Sequence, residues 1–258
     1  MNEASVFQLA GKTALITGAA KGIGADIAEQ LLRFGVHVVL ADVDDRGEQV
    51  AERWRQAGYQ ARYVHSDVSK SSDVAHMVAY AEREFGGLDI LVNNAGIFPR
   101  ADLFETDEAF WNRVMDINLK GAYLACQAAV PGMIARGGGS IINIGSLHAT
   151  KGAVDTLAYA ISKGGLVTLT RNLAGALAVH KIRVNCIHPG WVSSDGELAR
   201  LAASGEDGES LEQAIRRMPM GRMQNGADIA AAVAFMVSEM AGQITGQQLT
   251  VDGGIGLR

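Results

Sequence analysis

TGAAKGIG, residues 17–24, joins two segments of different character. KTALIT (12–17), before it, is short, apolar and partly β-branched, the pattern of a buried strand. Residues 22–34, after it, repeat apolar positions at helical spacing. Between a strand and a helix, Gly18, Gly22 and Gly24 permit a tight turn, close approach of the backbone to a phosphate, and close packing of the helix. The helix start then offers free N–H groups and the positive end of its dipole to a pyrophosphate. A purely structural glycine turn is the rival reading; the flanking strand and helix favour the phosphate site.

The alternation begun by this unit continues. VHVVLA (36–41) predicts a strand, 45–57 a charged helix, ARYVHS (61–66) a weaker strand, 71–85 a helix, and LDILVNN (88–94) a strand ending in an asparagine turn. Helical periodicity covers 107–118 and 120–135, GGGSIINIGS (137–146) is a glycine-bounded strand, and a helix spans about 157–179. IRVNCIH (182–188) is a strand stopped by Pro189-Gly190, residues 195–218 read as a loop with short helical pieces, 226–240 as a helix, and QQLTVDGG (247–254) closes the chain. This order predicts an α/β fold, a doubly wound parallel sheet with helices on both faces. The strands are nearly all apolar, as burial on two faces requires. No linker or repeat divides residues 1–258, so a single domain is expected, with the irregular stretch near 191–218 as a substrate lid.

Bulk properties narrow the function. The net charge is −5, the isoelectric point is about 5.7, and no basic run occurs, which argues against a nucleic-acid surface. MNEASVFQLAGKTALITG shows no basic segment followed by an apolar one, and IAAAVAFMV is about half the roughly 20 residues of a membrane span. No membrane partner and a cytoplasmic location are expected. Cys126 and Cys186 fit no metal or redox spacing and read as reduced, partly buried thiols. The six histidines lack ligand spacing, so no metal is expected.

Ligands of parallel sheets bind beyond the carboxyl ends of the strands. Asp42, eighteen residues after Gly24, closes the second strand, where a carboxylate can accept hydrogen bonds from ribose hydroxyls. A helix cap is the alternative role, and Asp44 suits it better. Asp67 ends the third strand and NNAG (93–96) the fourth. In GSLHATKGAVDTLAYAISKGG (145–165), Ser146 lies thirteen places before Tyr159, and Lys163 four after it. On a helix Tyr159 and Lys163 share one face, although that spacing also fits an exposed tyrosine beside a solvated lysine.

Together these elements resemble the short-chain dehydrogenase/reductase family over essentially the whole chain. The matching residues are Thr17-Gly18-x-x-x-Gly22-x-Gly24, Asn93-Asn94-Ala95-Gly96, Asn118, Ser146, Tyr159-x-x-x-Lys163, Pro189-Gly190 and Asp252-Gly253-Gly254, in family order and at family distances. The resemblance implies a Rossmann-like catalytic domain and hydride transfer between a nicotinamide cofactor and a secondary alcohol or ketone. It implies that Tyr159 is the proton acceptor, that Lys163 supplies a nearby cation and holds the nicotinamide ribose, that Ser146 bonds the substrate oxygen, and that Asn118 holds a water linking Lys163 to solvent. A free phenol, with a pKa near 10, is a poor base near neutrality. One unit charge at about 4 Å and an effective dielectric near 20 is worth about 4 kcal/mol, roughly three pKa steps before solvent discount. The same resemblance places the dinucleotide against Gly18, Lys21, Gly22, Ile23, Gly24, Asp42, Asp67, Val68, Asn94, Ala95, Gly96, Tyr159, Lys163, Pro189, Gly190, Val192 and Ser194. Many relatives carry threonine where Ser194 stands, and serine can make the same bond to the carboxamide.

Asp42 repels a 2′-phosphate and favours NAD; Lys21 pulls toward NADP. NAD is the expected cofactor. The substrate pocket is expected between the loop after Gly96, the segment from Ser146 to Tyr159, and the lid, with Phe98, Arg100, His148, Asp155, Trp191, Asp195 and Glu197. Ser146, His148, Tyr159 and Trp191 are its candidate contacts, Trp191 equally as a packing residue. So mixed a wall suits a compact polar substrate such as a sugar, polyol or small cyclic alcohol. A 3-oxoacyl-thioester reductase using NADPH is the rival enzyme, and a non-catalytic dinucleotide sensor the rival of another class. Relatives commonly pair the helices near 107–135 and 157–179 across a two-fold axis, and Gly164, Gly165, Ala174, Gly175 and Ala176 give the latter a small-residue face; a homotetramer is expected.

Overall fold

Every residue of β1 (Thr13–Thr17) is buried. Its side chains divide between two cores, Ala14 and Ile16 in one and Leu15 in the other. That is the pleat of a strand covered on both faces. The computed structural model describes residues 6–194, 197–198, 201 and 208–257. After β1 come α1 (Gly22–Arg33), β2 (His37–Asp42), α2 (Arg46–Gln56), β3 (Ala61–His65), α3 (Ser71–Phe85) and β4 (Ile90–Asn93). Then follow α4 (Glu108–Met115), α5 (Gly121–Arg136), β5 (Gly139–Ile144), α6 (Leu157–Leu177), β6 (Ile182–Pro189), α7 (Gly208–Arg216), α8 (Gly226–Val237) and β7 (Gln248–Val251).

The seven strands form one parallel sheet in the order β3-β2-β1-β4-β5-β6-β7. Ile27 and Leu31 of α1 and Ile229 and Val233 of α8 cover one face. Met77 and Val78 of α3, Ala125 and Ala129 of α5 and Ala174 of α6 cover the other. The expected doubly wound architecture is therefore present. The edge strands β3 and β7 are only partly buried, which is why ARYVHS carries a weak strand pattern. The strand order reverses at β1, between β2 and β4, so the loops after β1 and β4 diverge and open a crevice at the carboxyl ends.

The differences from expectation are local. Asp116–Lys120 form a π turn, so α4 and α5 run as one interrupted helix. The helices expected over 157–179 and 226–240 end at Leu177 and Val237 and pass into short 3₁₀ turns. Within 195–218 the described helix is α7; Asp195 lies outside the described residues. Both cysteines are free thiols and fully buried rather than partly. Of the small residues on α6, Gly165 faces inward, where an added Cβ would lie 2.6 Å from Leu119, and Ala174 is buried. Gly175, Ala176 and Ile161 remain at the open face. Among the described residues no helix is long and apolar enough to cross a membrane, and no group of three metal-ligating side chains occurs.

Candidate active site

The glycine turn is a cradle that tolerates no side chain at its closest points. Gly18 and Gly22 have φ of +65° and +59°, the left-handed region that favours glycine. A Cβ on Gly24 would stand 2.2 Å from the carbonyl oxygen of Gly18. Helix α1 opens with no side-chain cap and no acidic residue in its first turn, so its leading N–H groups are left for an anion. Asn94 Nδ2 donates to the carbonyls of Thr17 and Gly18, each at 2.9 Å, and Thr17 Oγ1 accepts the N–H groups of Asn94 and Ala95, each at 3.0 Å. The uncapped helix, the cradle and the cleft beyond it fit a dinucleotide.

That cleft has a volume of about 1580 Å³ and runs from Gly18, Lys21, Gly22 and Ile23 past Asp42, Asp67 and Val68 to the substrate end. Asn94, Ala95, Gly96, Pro189, Gly190, Val192 and Ser194 also line it. Gly24 lies behind the wall, packed on Gly18. Asp42 is fixed at the end of β2: Oδ2 accepts the Ala20 N–H at 2.9 Å and Oδ1 the Asp44 N–H at 3.0 Å. Asp67 accepts from the backbone and hydroxyl of Ser69, which holds its carboxyl below the usual range. Asp44 accepts the Arg46 N–H at 3.1 Å, a cap-like bond, although the residue before α2 is Asp45, whose side chain does not cap. Two cations converge on Asp44: Lys21 Nζ at 3.7 Å and the Arg46 guanidinium, the latter holding its carboxyl well below the usual range. Arg46 also lines the cleft, a position the sequence reading did not single out.

At the other end three expected residues meet. Ser146 follows β5, and Tyr159 and Lys163 occupy the first turns of α6. All three line the cleft. Lys163 is buried; its Nζ donates to the Ile144 carbonyl at 2.8 Å and lies 5.7 Å from the centre of the Tyr159 ring. Burial pulls the Lys163 ammonium down to about 8. Burial pushes the Tyr159 phenol up, and a hydrogen bond from Ser146 works the other way. The expected lowering of the phenol by Lys163 is thus opposed in this structure by burial, which acts against both charged forms.

Asn118 sits in the π turn, buried. Its Oδ1 accepts the Ile97 N–H at 2.8 Å, and its Nδ2 donates to the Ile97 carbonyl at 3.0 Å and to Ser162 Oγ at 3.1 Å. Both donors are committed, so the side chain ties the loop after β4 to α6 and keeps only a spare lone pair on Oδ1 for a water. Two further residues were missed from sequence. His188 Nδ1 accepts the Ser146 N–H at 3.0 Å, with Nε2 3.2 Å from Gln248 Oε1. An amide can only donate, so Nδ1 carries no proton; burial, with Lys163 nearby, lowers the imidazole pKa. Gln224 Oε1 accepts the Gly190 N–H at 2.9 Å, its N–H reaches the Trp191 carbonyl, and its own carbonyl takes Ser193 N–H and Oγ. It thereby stitches down residues 190–193. No local signal marked either: β6 also carries Arg183 and Asn185, so a further polar residue in it does not stand out.

Phe98, His148 and Tyr159 form an aromatic cluster, with ring centres 4.3 Å apart for Phe98–Tyr159 and 5.8 Å for His148–Tyr159. Burial, then Arg100, lowers the His148 pKa, which leaves a neutral ring. His148 Nδ1 lies 3.3 Å from Thr156 Oγ1. Trp191 lines the cleft and donates its indole N–H to Glu197 at 2.7 Å, so Glu197 is held at the wall rather than turned to water.

A family model described as enoyl-(acyl carrier protein) reductase matches residues 18–256. The cis-4-hydroxycyclohexanecarboxylate dehydrogenase of Sinomonas cyclohexanicum is 38% identical over 246 residues, 95% of this chain and 96% of that protein. A 3-oxoacyl-(acyl-carrier-protein) reductase of Staphylococcus epidermidis is 35% identical over 246 residues, 95% and 98% of the two chains. A solved structure from Beutenbergia cavernae, described as a candidate NAD(P)-dependent gluconate 5-dehydrogenase with NADP at low occupancy, matches with a TM-score of 0.89 and 35% identity, covering 96% of this chain and 98% of that one.

Proposed function

This chain belongs to the short-chain dehydrogenase/reductase family, and we propose how its site serves that family's reaction. It is an oxidoreductase of CH–OH groups. Bound in the cleft, a nicotinamide dinucleotide supplies the hydride acceptor or donor. Gly18, Gly22 and Ile23 at the start of α1 would hold its pyrophosphate, Asp42 its adenosine ribose, Asp67 and Val68 its adenine, and Gly96, Pro189, Gly190, Val192 and Ser194 its nicotinamide end. Tyr159 accepts the alcohol proton during oxidation and returns it during reduction. Ser146, whose Oγ accepts the His148 N–H at 3.2 Å, gives its own proton to the substrate oxygen or the phenolate. Lys163 favours the phenolate as a nearby cation, its Nζ 5.7 Å from the ring centre, working against burial. It also holds the nicotinamide ribose, and Asn118 Oδ1 keeps a relay water beside it.

NAD is the favoured cofactor, because Asp42 stands where a 2′-phosphate would lie and Asp44 offsets part of the charge of Lys21 and Arg46. The substrate is a compact polar alcohol such as a sugar, polyol or small cyclic alcohol. The charged wall of Arg100, Lys151 and Glu197 supports this over a long acyl chain, although a carrier-protein reductase is among the relatives. The names of the two dehydrogenases above, a cyclic alcohol and a polyol acid, fall in the same class. A purely binding role has no use for Ser146, Tyr159 and Lys163 together. We place this enzyme in the cytoplasm as one catalytic domain that assembles into a homotetramer.

The convergence of Ser146, Tyr159 and Lys163 on the floor of a cleft that begins at the glycine turn carries this reading. A panel of polyols, sugars, cyclic alcohols, a steroid and a 3-oxoacyl thioester, assayed with NAD(H) and NADP(H) by nicotinamide absorbance, tests it. A steroid or thioester turned over a hundredfold better than every polar alcohol overturns the substrate class.

A further inference from the structure

We propose that Arg100 forms an anion subsite at the substrate end of the cleft, and that the substrate is a hydroxy acid whose alcohol and carboxylate stand about one six-membered ring apart. This rests on the reading of the cleft as an alcohol-oxidising site. Arg100 lines the cavity, and its Nη1 donates to Asp155 Oδ2 at 2.5 Å. Asp155 is not part of the cavity wall; it grips the guanidinium from behind. The backbone reinforces that grip, since the Ala101 N–H donates to the Asp155 carbonyl at 2.9 Å and Ala101 bridges Thr156. Phe98 supports the guanidinium from one side, its ring centre 5.5 Å from Cζ.

A guanidinium held this way is oriented before any ligand arrives. One nitrogen is spent on Asp155, while Nε and Nη2 have no partner among the described residues. Those two N–H groups form the parallel fork that matches a carboxylate. The charges around it are mixed: Lys151 and Glu197, both engaged elsewhere, share the wall with opposite signs. Lys151 adds a second cation to the same wall, the His148 ring is neutral near pH 7, and the acid that shares the wall, Glu197, is engaged by Trp191. Asp155 neutralises part of the Arg100 charge, so the subsite selects by fork geometry as much as by field.

The spacing sets the substrate length. The Phe98 ring touches both groups, its centre 5.5 Å from the Arg100 Cζ and 4.3 Å from the Tyr159 ring centre, so the guanidinium carbon lies within about 10 Å of the phenol ring centre. An alcohol placed on Tyr159 can therefore reach Arg100 with a carboxylate at the far end of a ring or of a chain of three to four carbons. An α-hydroxy acid, whose two groups sit on adjacent carbons, is the comparator that tests this length.

The test uses the full chain with NAD. In steady state, 5-hydroxyhexanoate is compared with 5-hydroxyhexanamide and 2-hydroxyhexanoate. By calorimetry, cyclohexanecarboxylate is compared with cyclohexanecarboxamide. The wild type is expected to favour 5-hydroxyhexanoate over each comparator at least tenfold in kcat/KM, mostly through KM, and to bind the cyclic acid at least tenfold tighter than its amide. In Arg100→Gln both acid-to-amide ratios are expected to fall below threefold; because each ratio is taken within one protein, a general loss of activity cancels. A wild-type ratio near one, or a ratio unchanged in Arg100→Gln, overturns the subsite. Selective binding of the cyclic acid with no turnover of any alcohol keeps the subsite and overturns the substrate assignment that it rests on.

Discussion

Replacing His188 with phenylalanine asks how Ser146 is held in place. The ring volume is kept, but the acceptor for the Ser146 N–H, now at 3.0 Å, is lost. Ser146 is buried, so the N–H loses its partner in a poorly solvated place. A buried donor left unpaired costs about 1–3 kcal/mol. For a chain of this size, each kcal/mol lowers Tm by roughly 2–4 °C, so a fall of about 2–12 °C is expected. The cost also loosens the backbone that aims the Ser146 hydroxyl, and a loss of about 1.4 kcal/mol in the transition state lowers kcat tenfold. Cofactor affinity rests on the glycine turn and should change little. Scanning calorimetry, steady-state kinetics and NAD titration read the three effects separately. A variant with unchanged Tm and kcat within twofold of wild type refutes the argument. The pH dependence gives an independent check. The folded protein needs neutral His188, and its pKa is lowered below the ordinary value of 6.5. The unfolded chain therefore binds the proton more readily, and this contribution to stability is complete above pH 6.5 and lost as pH falls below it. Protonated His188 cannot accept the Ser146 N–H, so activity should decline over the same acid range in wild type and lose that limb in the variant.

Tyr159→Phe should lower turnover by more than tenfold while NAD binding persists; a smaller loss, read by steady-state kinetics, removes the proton-transfer role. Asp42→Ala should narrow an NAD preference of about 10- to 100-fold in kcat/KM, equivalent to roughly 1.4–2.7 kcal/mol, and a wild-type preference for NADP contradicts the cofactor assignment. Lys163→Met should end turnover yet leave Tm equal or higher, because a lysine moved from 10.5 to about 8 by burial costs up to about 3 kcal/mol of stability when protonated; a clear fall in Tm counts against that cost. By the same linkage, stability from this group rises with pH between about 8 and 10.5. Light scattering at micromolar concentration should report a tetramer, and a monomer excludes it.

The sheet was readable because its information is local. β1, β2, β4 and β5 are mostly apolar runs, and their near-complete burial matches that pattern; β6 is as buried although it carries Arg183, Asn185 and His188. Gly18, Gly22 and Gly24 were readable for a related reason: each answers a steric demand that only glycine meets there. Tyr159 and Lys163 lie four residues apart on one helix, so spacing alone put them on one face. His188 was not readable, because its partner Ser146 is 42 residues away and the pairing of β5 with β6 creates the contact. Gln224 likewise acts on residues more than 30 positions earlier. Arg46 was hidden by its setting: within a charged helix start it looks like any solvated arginine, and only the path of the cleft distinguishes it. The π turn at Asn118 had no composition signal, since DINLK suits an ordinary helix.

Asn94 has a consequence for the order in which the molecule assembles. Its side chain clamps the carbonyls of Thr17 and Gly18 across 77 and 76 residues. The glycine turn is contiguous in sequence, but its shape depends on a strand that leaves the ribosome much later. Closing so long a loop precedes the reward from the contacts that it makes, which slows folding. A nascent chain that ends before β4 therefore carries the whole glycine motif and no finished seat for a phosphate. Only when Asn94 docks does the turn become rigid, so the ability to bind a dinucleotide arrives in one step with the closure of the β1–β4 pair.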